Sequence, residues 1–236
     1  MHMADALISP VVGGVMWGAS GGLLAWCSHR VRQAAEDRLI PMMGVLGAFI
    51  FAAQMINFTI PGTGSSGHLG GGLILAALLG PHAAFIVIAS VLTVQALFFA
   101  DGGLLALGCN LFNLGYFPAF IAYPLIYRPL IGRGGGEGCR YWGGTLLAAV
   151  VGLQLGSLCV VIQTAVSGIS DLPIATFLWL MQPIHLGIGI VEGIATGAVV
   201  LFVRKARPGL LGEPMAEGGW RRALAGLAVA TVVVGG

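Results

Sequence analysis

An all-α membrane protein, a bundle of about seven transmembrane helices with its N-terminus outside the cytoplasm, is the fold class this sequence predicts, and three observations predict it. Of 236 residues, 57% are hydrophobic and 8% charged, and the mean hydropathy is +0.94, which no ordinary soluble domain matches. Apolar stretches follow one another at lengths near the roughly 20 residues a helix needs to cross a hydrocarbon core. Those stretches are continuous rather than alternating, so helices and not barrel strands satisfy the backbone in lipid.

In chain order the helices are expected at 7–28, 39–58, 69–79, 83–100, 104–127, 142–167 and 172–203. The third, between "GHLGGG" and the breaker Gly80-Pro81, is too short to span unless the glycines before it continue the helix. The basic residues fall in four groups: Arg30, Arg32 and Arg38; Arg128, Arg133 and Arg140; Arg204, Lys205 and Arg207; Arg221 and Arg222. With seven spans all four groups land on one side, which the positive-inside rule makes cytoplasmic. The N-terminus, the loop 59–67, the turn at Asp101 and the loop near Asp171 are then outside. The net charge of +2 reads as a topology signal and not as a nucleic-acid surface.

The first helix lacks a basic leading region, carries Asp5, and has its arginines after the apolar run, the pattern of a reversed anchor and not of a cleaved signal. A mature end that keeps Met1-His2 free outside the cytoplasm is expected. Residues 1–205 read as the transmembrane core and 206–222, rich in Gly, Pro and Glu, as a cytoplasmic linker. The apolar run 223–236, "ALAGLAVATVVVGG", is shorter than a span and reads as a further helix cut off after its start.

Cys27, Cys109, Cys139 and Cys159 show no paired metal spacing and read as free thiols. Gly14, Gly18 and Gly22 on the first helix, and Gly189, Gly193 and Gly197 on the last, form rows that let backbones approach, within the bundle or against a partner.

The chemistry concentrates at the outer face. The Met1 amine, the His2 amide once deprotonated and the His2 imidazole are consecutive along one backbone. Together they close two small chelate rings and leave one place open in a square plane. The imidazole of His68, in "PGTGSSGHLGGG", fills it. Tetragonal nitrogen coordination suits Ni(II) or Cu(II), whereas Zn prefers a tetrahedron and Mg or Ca oxygen ligands. Binding should release protons and weaken as pH falls. Asp5 is a candidate to accept a hydrogen bond from a ligating ring, or else to cap the first helix. Asn57 and Ser66 flank the outer loop and are candidates to orient His68. Gln54, Gln95, Asn110 and Asn113 read as interhelical hydrogen-bond partners. His185 and Glu192 lie seven apart on nearly one face of the last helix, inside the bilayer, as candidates for coupling or for pairing with polar groups. His82 and His29 read as interfacial.

The stretches "MHMADALISP", "AAQMINFTIPGTGSSGHLGGG", "QALFFADGGLLALGCNLFNLG" and "PIHLGIGIVEG" together resemble the CbiM/NikM family, the substrate-binding (S) components of energy-coupling factor transporters for cobalt and nickel, over about residues 1–205. Typical members begin "MHIPDG"; here Met1, His2 and Asp5 are kept and Ala6 replaces the usual glycine. The resemblance implies that Met1, His2 and His68 bind the ion and that the N-terminus inserts back towards the pocket. It implies a transmembrane coupling subunit, two cytoplasmic ATPase subunits and a small accessory membrane subunit, separate or fused. It also implies residence in a prokaryotic cytoplasmic (inner) membrane, among its lipids. The sequence has no Walker A loop, since "GRGGGEGCR" lacks the lysine followed by Ser or Thr, so the chain is expected to be no enzyme and ATP hydrolysis to come from partners. The ion, Ni2+ or Co2+, is the transported substrate and no organic cofactor is expected. A low-spin square plane favours nickel, while the family uses the same ligands for cobalt. A secondary metal transporter or channel is the alternative of another class. It should carry a row of acidic or histidine residues through the membrane, where here only His185 and Glu192 qualify.

Overall fold

The computed structural model of the protein describes residues 1–34, 38–132 and 137–206; the expected linker beyond Ala206 and the expected further helix at 223–236 lie outside them. Seven helices are present among the described residues: α1 (Pro10–Ala34), α2 (Leu39–Gln54), α3 (Gly72–Leu79), α4 (Pro81–Phe98), α5 (Leu107–Ile131), α6 (Cys139–Ser167) and α7 (Ile174–Ala206). Five of them, α1 and α4 to α7, are long and apolar enough to cross a membrane. The molecule is therefore an all-α membrane bundle, with one small exception at the end where the chain begins. There β1 (Phe58–Ile60) and β2 (Ser65–Gly67) form an antiparallel hairpin in the register Phe58 to Gly67, Thr59 to Ser66 and Ile60 to Ser65.

Local chemistry sets the helix ends. Pro10 at the first position of α1 pushes the residue before it towards extended backbone, so α1 begins there and not at Leu7. The Ser9 hydroxyl accepts from the Val12 N–H at 3.4 Å. Gly80, with φ 82°, turns the chain between α3 and Pro81 of α4. The middle of α5, Phe112–Tyr127, is wound in the wide π register around Pro118 and Pro124, each of which lacks a donor and crowds the carbonyl a turn earlier.

The third helix departs from expectation. The glycines before it do not extend it: α3 starts at Gly72 rather than residue 69, because Gly71 adopts a left-handed φ of 75° and a Cβ there would meet Ile50 Cγ2 at 2.7 Å. Eight residues rise only about 12 Å at 1.5 Å each, less than half of a hydrocarbon core. From β2 to Gly71 the backbone is non-helical, which a membrane protein tolerates where protein groups satisfy it. Here Glu192 on α7 accepts from the N–H groups of Gly70 (2.6 Å) and Gly71 (3.1 Å), and the Gln54 side-chain amide donates to the Gly70 carbonyl at 2.7 Å.

The two glycine rows have different uses. Gly189, Gly193 and Gly197 face α6, where added Cβ atoms would lie 2.9 Å from Val150 Cα, 2.8 Å from Leu146 Cα and 2.5 Å from the Trp142 ring. The Tyr141 hydroxyl donates to the Gly197 carbonyl at 2.7 Å across the same seam. Cβ atoms added at Gly14, Gly18 and Gly22 would meet nothing within 4 Å and all three are exposed, so this row on α1 does not pack inside the bundle. A Gly193→Leu replacement is expected to pry α6 from α7 and destabilise the protein by about 1–3 kcal/mol, the usual cost of overpacking. Thermal unfolding in detergent checks this, and an unchanged Tm would refute the close approach. Gly18→Leu serves as the neutral control.

Chain direction sorts the ends of the bundle. The described basic residues, Arg30, Arg32, Arg38, Arg128, Arg140, Arg204 and Lys205, all lie at the end opposite the hairpin, where Lys205 pairs with Glu137 at 3.0 Å. At that end the His82 ring packs edge-on against Trp26, with centroids 4.7 Å apart. The described cysteines are free, with Cys27 and Cys109 buried, Cys159 half-buried and Cys139 exposed.

Candidate metal centre

The N-terminal segment runs back into the bundle beside the hairpin. Met3 bridges Ser65 in antiparallel fashion, the Ser66 N–H donates to the His2 carbonyl at 3.2 Å and the Ala4 N–H to the Gly64 carbonyl at 3.2 Å. On its other side the Asn110 side chain accepts from the Met3 N–H at 2.9 Å and donates to the Met3 carbonyl at 3.3 Å, and Gly103 N–H donates to the same carbonyl at 2.9 Å. Residues 1–4 thus act as a third strand wedged between β2 and the turn leading into α5. Edge pairing of this kind explains how a segment with no apolar run of its own is held rigidly.

This wedge brings Met1, His2 and His68 together. The Met1 amine donates to the Ser66 carbonyl and lies 3.3 Å from His68 Nε2. The His2 and His68 rings stack with centroids 4.4 Å apart and planes 30° from parallel. His68 Nδ1 is 2.8 Å from the Leu69 carbonyl; a carbonyl can only accept, so the ring proton sits on Nδ1 and Nε2 presents its lone pair to Met1. Met1 is 0% exposed, His68 2% and His2 3%, which excludes bulk water from all three.

Burial also decides their charge. It lowers the Met1 amine to about 4, against an opposing pull from Asp101. Burial likewise lowers His2, with the hydrogen bond to Asp101 opposing and the N-terminal charge reinforcing. It holds His68 well below the ordinary imidazole value, helped by the N-terminus and His2, opposed by the Leu69 carbonyl, and helped again by His185. At neutral pH the amine is therefore uncharged and both rings are neutral, each with a lone pair free of an added proton. For Asp101, burial pushes the carboxyl up, but the His2 and Asn57 hydrogen bonds and the neighbouring positive centres leave it lowered. We take Asp101 as the ionised acceptor of a neutral His2 ring.

Asp101 is the site residue that sequence reasoning missed. Its Oδ1 lies 2.9 Å from His2 Nδ1, the position for which Asp5 was a candidate. Asp5 instead accepts from the Ala106 N–H at 3.0 Å and ties down the start of α5. Asn57 donates to Asp101 Oδ2 at 2.9 Å and so orients Asp101, not the His68 loop. Ser66 acts through its backbone, while its hydroxyl is buried without a partner. The signal for Asp101 was its place in the outer turn "FADGG"; what sequence could not give was the left-handed Ala100, φ 52°, which turns the carboxylate toward His2. Gly102, φ 90°, completes that turn, and a Cβ there would come within 3.6 Å of the His2 side chain. A cleft of about 430 Å³ opens over His2, bordered by Ala4, Thr59, Ser65 and Asp101. His185 and Glu192 stand deeper on α7, fully buried. Asn113 and Gln163 pair across α5 and α6 at 2.8 Å. Among the described residues no three His, Cys, Asp or Glu side chains form a group that could hold a metal ion.

Seven helices, five of them long and apolar enough to span, and a buried cluster of uncharged nitrogen donors at one end make a membrane protein equipped to hold a cation. Residues 2–210 match the CbiM family, the cobalt uptake substrate-specific transmembrane region, and the chain belongs to that family. It is 34% identical over 213 residues to a putative metal transport protein of Haloquadratum walsbyi, covering 89% of this chain and 93% of that one. It is 33% identical to a putative fused nickel transport protein, NikMN, of Archaeoglobus fulgidus, covering 92% of this chain and 70% of the relative. The crystal structure of a truncated transition metal transporter superposes with a TM-score of 0.78 at 30% identity, covering 87% of this chain and 99% of that one.

Proposed function

We propose that the protein captures Ni(II) or Co(II) at the outer face of a prokaryotic cytoplasmic membrane, through the Met1 amine, the His2 amide and imidazole, and His68 Nε2. It then delivers the ion as the S component of an energy-coupling factor transporter. The observation that carries this reading is the approach of the Met1 amine to His68 Nε2, 3.3 Å apart and both buried. That is close to the spacing of neighbouring ligands around a small divalent ion with bonds of about 2 Å.

Charge balance supports the same ligand set. A divalent ion that displaces the His2 amide proton leaves one net positive charge, which the Asp101 carboxylate offsets next door. A buried cation is tolerated on those terms. The chelate from amide to ring closes only through Nδ1, since Nε2 lies on the far side of the imidazole. Nδ1 now meets Asp101, and His2 Nε2 is buried without a partner. A half-turn about Cβ–Cγ exchanges the two, bringing Nδ1 to the metal and Nε2–H to Asp101. Nickel is the preferred ion, because a complete nitrogen plane suits its low-spin form.

ATP-driven uptake requires a transmembrane coupling subunit and two cytoplasmic ATPase subunits. The fused NikMN relatives of Archaeoglobus fulgidus and Rhodobacter capsulatus support a small accessory membrane subunit, separate or fused. The basic end of the bundle faces the cytoplasm in this arrangement.

The test extends the chain by one residue before Met1. The native protein should hold about one nickel per chain with a square-planar absorption spectrum, and the extended protein should bind at least a hundredfold more weakly, about 2.8 kcal/mol. Equal binding by the two would exclude the amine as a ligand.

A further inference from the structure

His185 has the features of a metal ligand, yet it lies outside the outer nitrogen set. Its ring is fully buried. Nδ1 is 2.8 Å from the Met181 carbonyl one turn back on α7, which fixes the proton there, and Nε2 is left buried with no hydrogen-bond partner. His68 is held in the same way, Nδ1 on a carbonyl and Nε2 presenting a bare lone pair. A second shell that fixes the tautomer is what metal-binding histidines generally have, and an unsatisfied acceptor in the interior calls for an explanation.

Contacts on either side fix the level of His185 in the bundle. Met181 packs in the outer cluster with Met3 and Leu7, so His185 is one turn deeper. Gln182 pairs with Gln154 and Ser157 of α6, and Gly189 abuts Val150, which sets His185 between those levels, near Leu153 and Gly156. The Met1 side chain rests at that same height: a Cβ at Gly156 would lie 3.1 Å from Met1 Sδ. His185 is within electrostatic reach of both the Met1 amine and His68, one turn of α7 from the outer cluster toward the basic end.

We propose that His185 Nε2 is a relay ligand, the first protein atom to take the ion as it leaves the outer nitrogen plane toward the basic end. The inference rests on the transport reading above. The step is ligand exchange: metal–nitrogen bonds to the outer set break, a bond to Nε2 forms, a water entering through the cleft over His2 gives its proton to the His2 amide and leaves with the ion as hydroxide, and the oxidation state of the metal does not change. With the ring proton held on Nδ1 by the Met181 carbonyl, Nε2 carries a free lone pair and takes the ion without first losing a partner.

The test compares resting Ni(II) content with uptake of radioactive Ni(II), in cells making the full chain together with its coupling and ATPase subunits. His185→Ala should hold about one nickel with the wild-type spectrum while uptake falls about tenfold or more, the scale on which loss of a metal-supporting group is felt. His185→Cys, which restores a ligand, should recover uptake in part, and His185→Phe, which restores only bulk, should not. Three outcomes overturn the relay: uptake by His185→Ala within twofold of wild type, loss of its resting nickel, or recovery by Phe equal to that by Cys. If instead the wild-type chain holds no nickel, or holds it equally when extended before Met1, the outer site itself is wrong and the relay falls with it.

Discussion

His2→Ala should weaken Ni(II) binding by at least about a hundredfold, close to 3 kcal/mol, and leave the fold intact. The substitution removes one chelate ring and the stacking partner of His68, while the backbone bonds that seat the segment, Ser66 N–H to the His2 carbonyl and Asn110 to Met3, do not involve the imidazole. Asp101→Asn should weaken binding less, about ten- to hundredfold, as expected when a group supporting a ligating histidine is lost. The proton balance gives a separate handle on the same titration. Because the amine lies at about 4 and both imidazoles are lowered by burial, the proton released on binding at neutral pH comes from the His2 amide. Affinity should therefore rise with pH across the neutral range by one proton's worth, and amine protonation should add to the competition only as pH falls toward 4. Calorimetry in buffers of different ionisation enthalpy measures that number. Binding by His2→Ala within threefold of wild type would remove His2 from the ligand set.

Much of this architecture follows from composition and spacing. Continuous apolar runs and the confinement of the basic residues to one end of the bundle predict the seven-helix order, and the helices stand where hydropathy puts them, with α1 running six residues past its expected end. The departures share a physical cause, which is long-range satisfaction of backbone. Nothing local in "GHLGGG" says that its glycines stay unwound, because what holds them open is a carboxyl 122 residues away. In the same way, Asp101 meets His2 across 99 residues, through a turn whose left-handed Ala100 runs against that residue's own preference. The candidacy of Met1, His2 and His68 was legible because the chelating atoms of the first two are consecutive in the chain. Their support was not, because Asp5 and Asp101 look alike in sequence and only tertiary structure separates a helix tether from a histidine acceptor. The glycine rows teach the same lesson: identical spacing on α1 and α7, yet only the row on α7 meets a neighbour.

Glu192→Ala should be the most damaging single replacement away from the nitrogen cluster, and its effect should reach both stability and metal binding. The carboxyl is 1% exposed and accepts from two consecutive N–H groups, those of Gly70 and Gly71, at the point where the chain turns from extended backbone into α3. Both donors face the bundle interior, where water does not replace a lost partner. Each orphaned amide costs about 1–3 kcal/mol, so the pair amounts to roughly 2–6 kcal/mol, a large share of the 5–15 kcal/mol typical of a folded protein. Glu192→Gln keeps one carbonyl acceptor but turns an NH2 toward the other donor, so it should lie between wild type and Ala. His68 is two residues before Gly70, whose carbonyl is held from the far side by Gln54. Release of the Glu192 latch therefore frees the stretch that sets His68 Nε2 against the Met1 amine. Nickel affinity should fall with stability in the order wild type, Gln, Ala, whereas Gly193→Leu should lower stability alone. Chemical unfolding in detergent and nickel titration on the same preparations separate these cases. A Glu192→Ala protein that unfolds at the wild-type midpoint would show that α7 does not hold the unwound segment in place.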